Sequence, residues 1–296
     1  MNSILVSGSL NADLETDVKR FPKPGETLLG GPLNISCGGK GNNQAVAAAK
    51  LQANVTMFGA LGQDTFGEML LNNLKAHHIN TDHILIRNDV PSATALITRT
   101  HDDNHIIVTD GANNTLTQQD IINASNLIQS HDIILLQQEI PIEAQIKAIE
   151  IAYDLKKTIV VNPAPVRPLP LHILKKITYL LPNEHEIIAL RQTPSDTPQD
   201  IISQSSVQII MTWGAKGVLF KDEHQQTKHL PSYKVEVIDT TGAGDTFCGA
   251  FCSFLHLGLS KAIDKALQAS ALSVTRSGAQ GGMPTLQALE AYHFHR

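Results

Sequence analysis

This 296-residue chain has no basic block, no long hydrophobic run and no two cysteines in a C-x-x-C spacing. Its formal charge is -5 and its basic and aromatic residues do not interleave, so bulk electrostatics draw it neither to a phosphate backbone nor to an anionic membrane. Nucleic acid and membrane are therefore not expected partners. The apolar run from Ile4 to Leu10 is broken by Ser and Gly, follows no basic residue, and is far shorter than a membrane span or a signal segment. A cytoplasmic location is expected. Cys37, Cys248 and Cys252 form an odd, sparse set that fits a reducing compartment, with Cys248 and Cys252 read as small core residues on one helix face. Of the 13 histidines, His101 with His105 and His293 with His295 lie close together, but neither pair has an H-E-x-x-H frame or a cysteine cluster beside it. Two nucleotide signatures are missing as well. Lys40 is followed by Gly41 rather than Ser or Thr, so there is no P-loop, and no G-x-G-x-x-G occurs there or from Gly242 to Phe247. A dinucleotide oxidoreductase is thereby made remote, and any nucleotide must be bound in another way.

What the chain does have is DTTGAGDTFCGAF, Asp239 to Phe251. Gly242, Ala243 and Gly244 allow a tight turn, and Phe247, Ala250, Phe251, Phe254 and Leu255 recur at helical spacing, so a Gly-rich turn opens a helix that packs on a core. The first-turn N–H groups have no partner within the helix and the dipole is positive there, which favours an anion. Asp245 in that turn is either a helix-terminus residue or a base aimed at a hydroxyl, with the turn holding the charge of a transferring group.

In chain order, Ile4 to Ser9 reads as a strand ending in a polar turn with Asn11 and Asp13, which suit a polyol at a strand end or form an Asx turn. From Asp17 to Ser36 prolines and glycines punctuate short β-type runs, and Ile84 to Thr109 alternates apolar and polar residues. Together these predict a small sheet lying over the site as a lid, inserted at about 14–36 and 84–109 of a single domain spanning 1–296. Its open face and edge predict a homodimer. Gly38, Gly39 and Gly41 precede a helix from Asn43 to Leu51, followed by a strand from Val55 to Leu61. The middle alternates: helix Thr117 to Ser130, strand Ile133 to Gln137, helix Ile142 to Leu155, strands Thr158 to Val161 and Tyr179 to Leu181, helix Glu186 to Arg191, strand Val207 to Thr212. Such βα units predict a parallel sheet covered on both faces, with Glu139, Asn162, Asn183, Glu186 and Thr212 on one edge of it, each also explicable as a cap or turn.

The motifs GGKGNNQAVAAAKL and DTTGAGDTFCGAF, supported by PNEHE and TWGAKG, resemble the ribokinase family of carbohydrate kinases along essentially the whole chain. The resemblance implies a ribokinase-like α/β sandwich of three layers with a central, mostly parallel sheet and a β-lid. It also implies phosphorylation of a sugar hydroxyl by ATP with Mg²⁺, D-ribose being the expected acceptor. By that resemblance Asp245 is the base, and the backbone of Gly242, Ala243 and Gly244 is the anion hole. Asn11, Asp13, Gly39, Lys40, Gly41, Asn43 and Glu139 match sugar contacts, and Asn183 with Glu186 match a motif associated with phosphate and Mg²⁺. Thr212, Gly214, Ala215, Lys216 and Gly217 match the nucleotide-binding turn, and Asp239, Thr241, Ser273, Arg276 and Gly278 match a K⁺ site.

Four positions depart from the family pattern. Asn42 replaces Ala beside the sugar loop, and Gln52 replaces a helix-ending Gly. Leu267 or Gln268 stands for an Asn near adenine, and Gly282 for a Ser of the cation site. The alternatives are a sibling kinase for deoxyribose, another sugar or a nucleoside, and a non-catalytic sugar or nucleotide sensor on the same fold.

Overall fold

The computed structural model describes residues 2–101, 103–191 and 193–295. The strands of the first half are β1 (Ser3–Ser7), β2 (Asn11–Asp17), β3 (Asn34–Gly38), β4 (Asn54–Phe58), β5 (Ala60–Gly62), β6 (Leu85–Arg87), β7 (Ala93–Arg99) and β8 (Asn104–Thr109). The second half adds β9 (Ile133–Gln137), β10 (Thr158–Asn162), β11 (Tyr179–Leu180), β12 (Gln208–Thr212), β13 (Val218–Lys221) and β14 (Thr227–Leu230). Eight of them form one sheet in the order β14-β13-β12-β11-β10-β9-β1-β4. From β4 to β12 the pairing is parallel, and a β12-β13-β14 antiparallel extension, not foreseen in the sequence, closes one edge.

Period-two alternation divides the core between the two faces. Ile4 and Val6 of β1 pack with Val46, Phe247 and Phe251, under the helices Lys40–Lys50 and Ala243–Phe254. Leu5, Ile134 and Leu136 face the other way, against Ala144, Ala148 and Ile149 of the helix Ile142–Asp154. The result is a three-layer α/β sandwich, and none of its helices, among the described residues, is long and apolar enough to cross a membrane.

The small sheet has the order β3-β2-β7-β8, with β2 and β7 parallel and the outer pairs antiparallel. Several expectations are corrected here. Asn11 and Asp13 lie in strand β2 rather than in a turn, because the chain crosses directly from the large sheet into the small one. No strand forms between Asp17 and Asn34, where Pro22, Pro24 and Pro32 remove ladder donors. Leu85–Arg87 pairs with β5, outside the small sheet. The stretch from Val55 to Leu61 splits at Gly59, whose Cβ would stand 2.8 Å from the Gly8 carbonyl, so that β4 and β5 enter different sheets. The stretch from Thr117 to Ser130 is two short helices with a break at Ala124, and the one from Glu186 to Arg191 is a 3-10 turn, Ile187–Leu190. Gln52 ends its helix at φ 66, the left-handed conformation that a Gly would take without strain.

Candidate active site

Two helices begin side by side at the C-terminal edge of the parallel strands, each entered through a glycine at positive φ. Gly39, at φ 88, precedes Lys40–Lys50, and a Cβ there would stand 2.8 Å from the Asn11 backbone nitrogen. Gly242, at φ 76, precedes Ala243–Phe254, and its Cβ would meet the Ala279 backbone at 2.9 Å.

The first of these termini is closed by the protein itself. Lys40 N–H donates to Glu139 Oε2 at 3.0 Å, Gly41 N–H to Ser9 Oγ at 3.2 Å, and the Ser9 hydroxyl to Glu139 Oε2 at 2.5 Å. The second terminus has no side-chain cap, and among the described residues no acceptor is bonded to the Gly244 or Asp245 N–H. A Cβ on Gly244 would meet nothing within 4 Å, so the open terminus faces free space.

That space is a cleft of about 220 Å³. Gly242, Ala243, Gly244 and Asp245 line one wall of it, Asn183, Glu186 and Thr212 another, and Lys40 reaches in from the first helix. Asn162, Ala164, Leu181, Thr240 and Cys248 complete the lining. A larger cavity of about 290 Å³ lies elsewhere, among Leu174, Leu190, Ile201 and Val207, and carries none of the predicted residues.

Asp245 is 8% exposed. Its Oδ2 accepts from Asn43 Nδ2 at 3.0 Å and its Oδ1 from Gln44 Nε2 at 2.9 Å. Burial raises its carboxyl above the ordinary range, while the Lys40 ammonium and the Gln44 and Asn43 amides pull it back. Lys40 is raised in turn, chiefly by Asp245. Asp13 is pushed up to about 7 by burial, with further contributions from Glu139, Glu15 and Asp245. Asn11 is held by Asn113 Nδ2 at 2.8 Å, and Asn113 in turn accepts from the Leu10 N–H at 3.1 Å.

Asn183 and Glu186 hold each other: Asn183 N–H and Nδ2 each donate to a Glu186 oxygen at 2.9 Å. Burial raises the Glu186 carboxyl, opposed by the Asn183 N–H and by Lys40. Thr212 leads into the turn of Gly214, Ala215, Lys216 and Gly217, in which Trp213 N–H donates to the Gly217 carbonyl at 2.7 Å and the Lys216 ammonium lies 4.5 Å from the Trp213 ring centre. Behind the open terminus, Asp239 Oδ1 accepts from Thr241 N–H at 2.9 Å and Oδ2 from Gly278 N–H at 2.8 Å. Against the effect of burial, these bonds hold the Asp239 carboxyl below its usual range. Ser273 is buried on the adjoining helix, Leu259–Ser273, while Arg276 is exposed just after it.

Three of the departures from the family pattern take on a different meaning in the fold. Asn42 is fully buried with Nδ2 donating to the Gly38 carbonyl at 3.0 Å, so it does not form the rim of the pocket. Leu267 lies in the core and Gln268 donates to the Tyr233 hydroxyl at 3.1 Å, and neither lines the cleft. A Cβ at Gly282 would stand 2.1 Å from the Ser273 carbonyl oxygen, so a larger residue there requires the backbone to shift.

Sequence reading missed Gln44, Gln137, Asn113 and Gln280. The available signal was polarity out of place: Gln44 falls among Gly41, Ala45 and Ala48 on the buried side of its helix, and Gln137 ends the apolar strand IILLQ.

An open helix terminus, a buried carboxylate beside it and a neighbouring lysine define the machinery of a phosphoryl-transfer enzyme. The chain belongs to the pfkB family of carbohydrate kinases, whose family model matches residues 1–286. It is 41% identical to a ribokinase of Bacillus subtilis over 292 residues, 98% of this chain and 99% of that protein. Its fold superposes on a ribokinase of Thermotoga maritima with a TM-score of 0.90 at 33% identity, covering 98% of this chain and 99% of the other. It also superposes on Arabidopsis thaliana ribokinase complexed with ribose and ATP, with a TM-score of 0.88 at 29% identity and coverage of 98% and 97%.

Proposed function

We propose that this protein transfers the γ-phosphoryl group of ATP to the 5-hydroxyl of D-ribose, giving D-ribose 5-phosphate and ADP. The observation that carries the reading is the buried Asp245 carboxylate at the uncapped N-terminus of the helix Ala243–Phe254, open to the cleft. Asp245 takes the proton of the sugar hydroxyl as that oxygen attacks phosphorus. Of the expected anion hole, the Ala243 N–H is already given to the Thr240 carbonyl at 3.2 Å; the Gly242 and Gly244 N–H groups, joined by that of Asp245 and the dipole of the helix, hold the equatorial oxygens of the group in flight. Lys40 adds positive charge on the opposite wall. Asn11, Asp13, Gly39, Gly41, Asn43 and Glu139 surround the sugar, while the turn from Thr212 to Gly217 receives the nucleotide, as the relatives named for ribose and ATP support.

Mg²⁺ bound with ATP neutralises phosphate charge, and Asn183 and Glu186, an amide and a carboxylate paired on the cleft wall, are the groups that would hold its water shell. The Asp239 carboxylate with oxygens of Thr241, Ser273, Arg276 and Gly278 is a donor set suited to K⁺, and the missing Cβ of Gly282 leaves the Ser273 carbonyl uncovered. The whole chain acts as one kinase domain, with the small sheet as a lid over the sugar, and with ATP as donor its place is the cytoplasm. Two copies join through that sheet. Leu14, Ile35, Leu96 and Ile107 stand opposite one another across all four strands, and Ile35, Leu96 and Ile107 are 49%, 45% and 64% exposed.

The test is ADP release from MgATP with D-ribose, 2-deoxyribose, fructose or adenosine, each in K⁺ and in Na⁺. A ribose-dependent rate stimulated by K⁺ is expected; ribose without effect overturns the substrate. Sedimentation gives the oligomeric state, with Ile107→Lys expected to convert a dimer to a monomer.

A further inference from the structure

Two amides face the Asp245 carboxylate, and each is held from behind by its own chain of hydrogen bonds. On the Oδ1 side, Asn162 Nδ2 donates to the Leu181 carbonyl at 2.9 Å, which turns Asn162 Oδ1 toward Gln44 as an acceptor at 3.1 Å. Gln137 Nε2 donates to Gln44 Oε1 at 2.7 Å. With its oxygen so engaged, the Gln44 amide can present only N–H to Asp245, at 2.9 Å. A flipped Gln44 would set its oxygen against both the carboxylate and the Asn162 oxygen, whose own orientation the Leu181 carbonyl fixes. On the Oδ2 side, Asn73 Nδ2 donates to Gln280 Oε1, Gln280 Nε2 to Asn43 Oδ1, and Asn43 Nδ2 to Asp245, each at 3.0 Å.

Gln44 and Gln137 are both fully buried, so no solvent replaces these bonds when one of them is lost. The direction of donation in each chain ends on a carboxylate that accepts at both oxygens. Neither glutamine lines the cleft. They act on the reaction only through the base.

We propose that Gln44 is a positioning residue for phosphoryl transfer: locked in one amide orientation by Asn162, with its oxygen taken by Gln137, it aims the Asp245 carboxylate and holds it as a hydrogen-bond acceptor. The inference rests on the reading of Asp245 as the base. The other charged or titratable groups acting on Asp245 are Lys40, Glu139, Asp13, Glu186 and Cys248, and none of them depends on Gln44 for its position through a bond to it.

The experiment compares Gln44→Met, Gln137→Met and Asp245→Asn in the full chain. Its readouts are kcat and the sugar KM from pH 5 to 9, and the carbon-13 titration of the Asp245 carboxyl in the free protein. Gln44→Met, close in volume and without a donor, is expected to lower kcat by roughly 10- to 100-fold, the loss of one bond to a charged group, while the sugar KM stays within about 3-fold. Because an N–H donor favours the ionised carboxylate, its removal moves both the acidic limb of kcat/KM and the carboxyl titration upward, by about one pH unit. Gln137→Met removes only the donor to Gln44 Oε1 and should shift both in the same direction by less. It gives up one bond, against three in Gln44→Met, and its own Oε1 has no partner to lose, so this variant decides the matter if Gln44→Met does not fold. Unmoved kcat, pH limb and titration in a folded variant, beside an inactive Asp245→Asn, overturn the role of Gln44 alone. An active Asp245→Asn overturns the base itself.

Discussion

The two glycine-entered helices of the cleft begin alike and end their first turns differently. At Lys40 the terminus is filled from within, by the Glu139 carboxylate and the Ser9 hydroxyl; at Ala243 it is left bare, with free space beyond Gly244. An unfilled, partly buried set of N–H groups would be a liability in a purely structural helix, where capping by a side chain contributes about 1 kcal/mol. Its absence at one helix and presence at its neighbour leaves the bare terminus as the one of the two free to take an anion. The bare terminus also has Asp245, the proposed base, beside it, whereas the closed one delivers Asn43, Gln44 and Lys40 to that carboxyl from one turn of helix.

The contrast can be broken most severely at the base. Asp245→Asn leaves the open terminus intact but removes the proton acceptor, and single-turnover rates are expected to fall by roughly two to four orders of magnitude with sugar affinity little changed. Near-normal turnover would remove the functional half of the comparison. Next in size is making the open end resemble the closed one. Ala243→Asp places a carboxylate in the first turn, which suits the helix dipole and should hold or raise the melting temperature. The same charge occupies the phosphate position, and kcat should drop by about 100-fold or more with a raised KM for ATP. A variant that melts lower and still turns over normally would show that the terminus serves the fold.

A smaller effect tests the sugar side. With its carboxyl pushed up to about 7, Asp13 gains a proton as pH falls through neutrality and loses an acceptor for sugar hydroxyls. Sugar affinity by calorimetry is therefore expected to weaken by about 10-fold from pH 8 to pH 6, and Asp13→Asn should bind weakly at both. The linked stability runs in the opposite direction. A carboxyl raised in the folded state favours folding at low pH, and that contribution is lost as pH rises from about 4 to about 7. The smallest change expected is Glu139→Gln, which retains an acceptor at the closed terminus but removes its charge. It should cost about 1 kcal/mol in denaturant unfolding and leave ATP affinity unchanged.

Much of this was legible in the chain because the signals are local. A glycine before an apolar helical run announces each helix entry, and strands such as Ile133–Gln137 and Thr158–Asn162 announce themselves by apolar runs bounded by turns. Of the strand-end residues read on one edge, Asn162, Asn183, Glu186 and Thr212 line one cleft with Asp245 and the turn Gly242 to Gly244, whereas Glu139 is drawn away to the Lys40 N–H and does not line it. The small sheet was visible only in outline. The start of its strand β2, Asn11 and Asp13, reads as a polar turn after β1, and the pairing of β2 with β7 joins residues some 82 positions apart, as the bond between Asp17 and Arg99 marks.

The sequence by itself determined where tight turns, helix entries and buried strands fall, since each follows from the conformational freedom of glycine and the period of apolar residues. Only the tertiary structure decided which helix terminus is capped and which is open, because Glu139 reaches Lys40 across 99 positions. It alone decided that Gln44 and Asn43 meet Asp245 across 201 and 202 positions. Hydrogen-bond direction and burial depend on which groups converge in space, and a linear pattern carries neither.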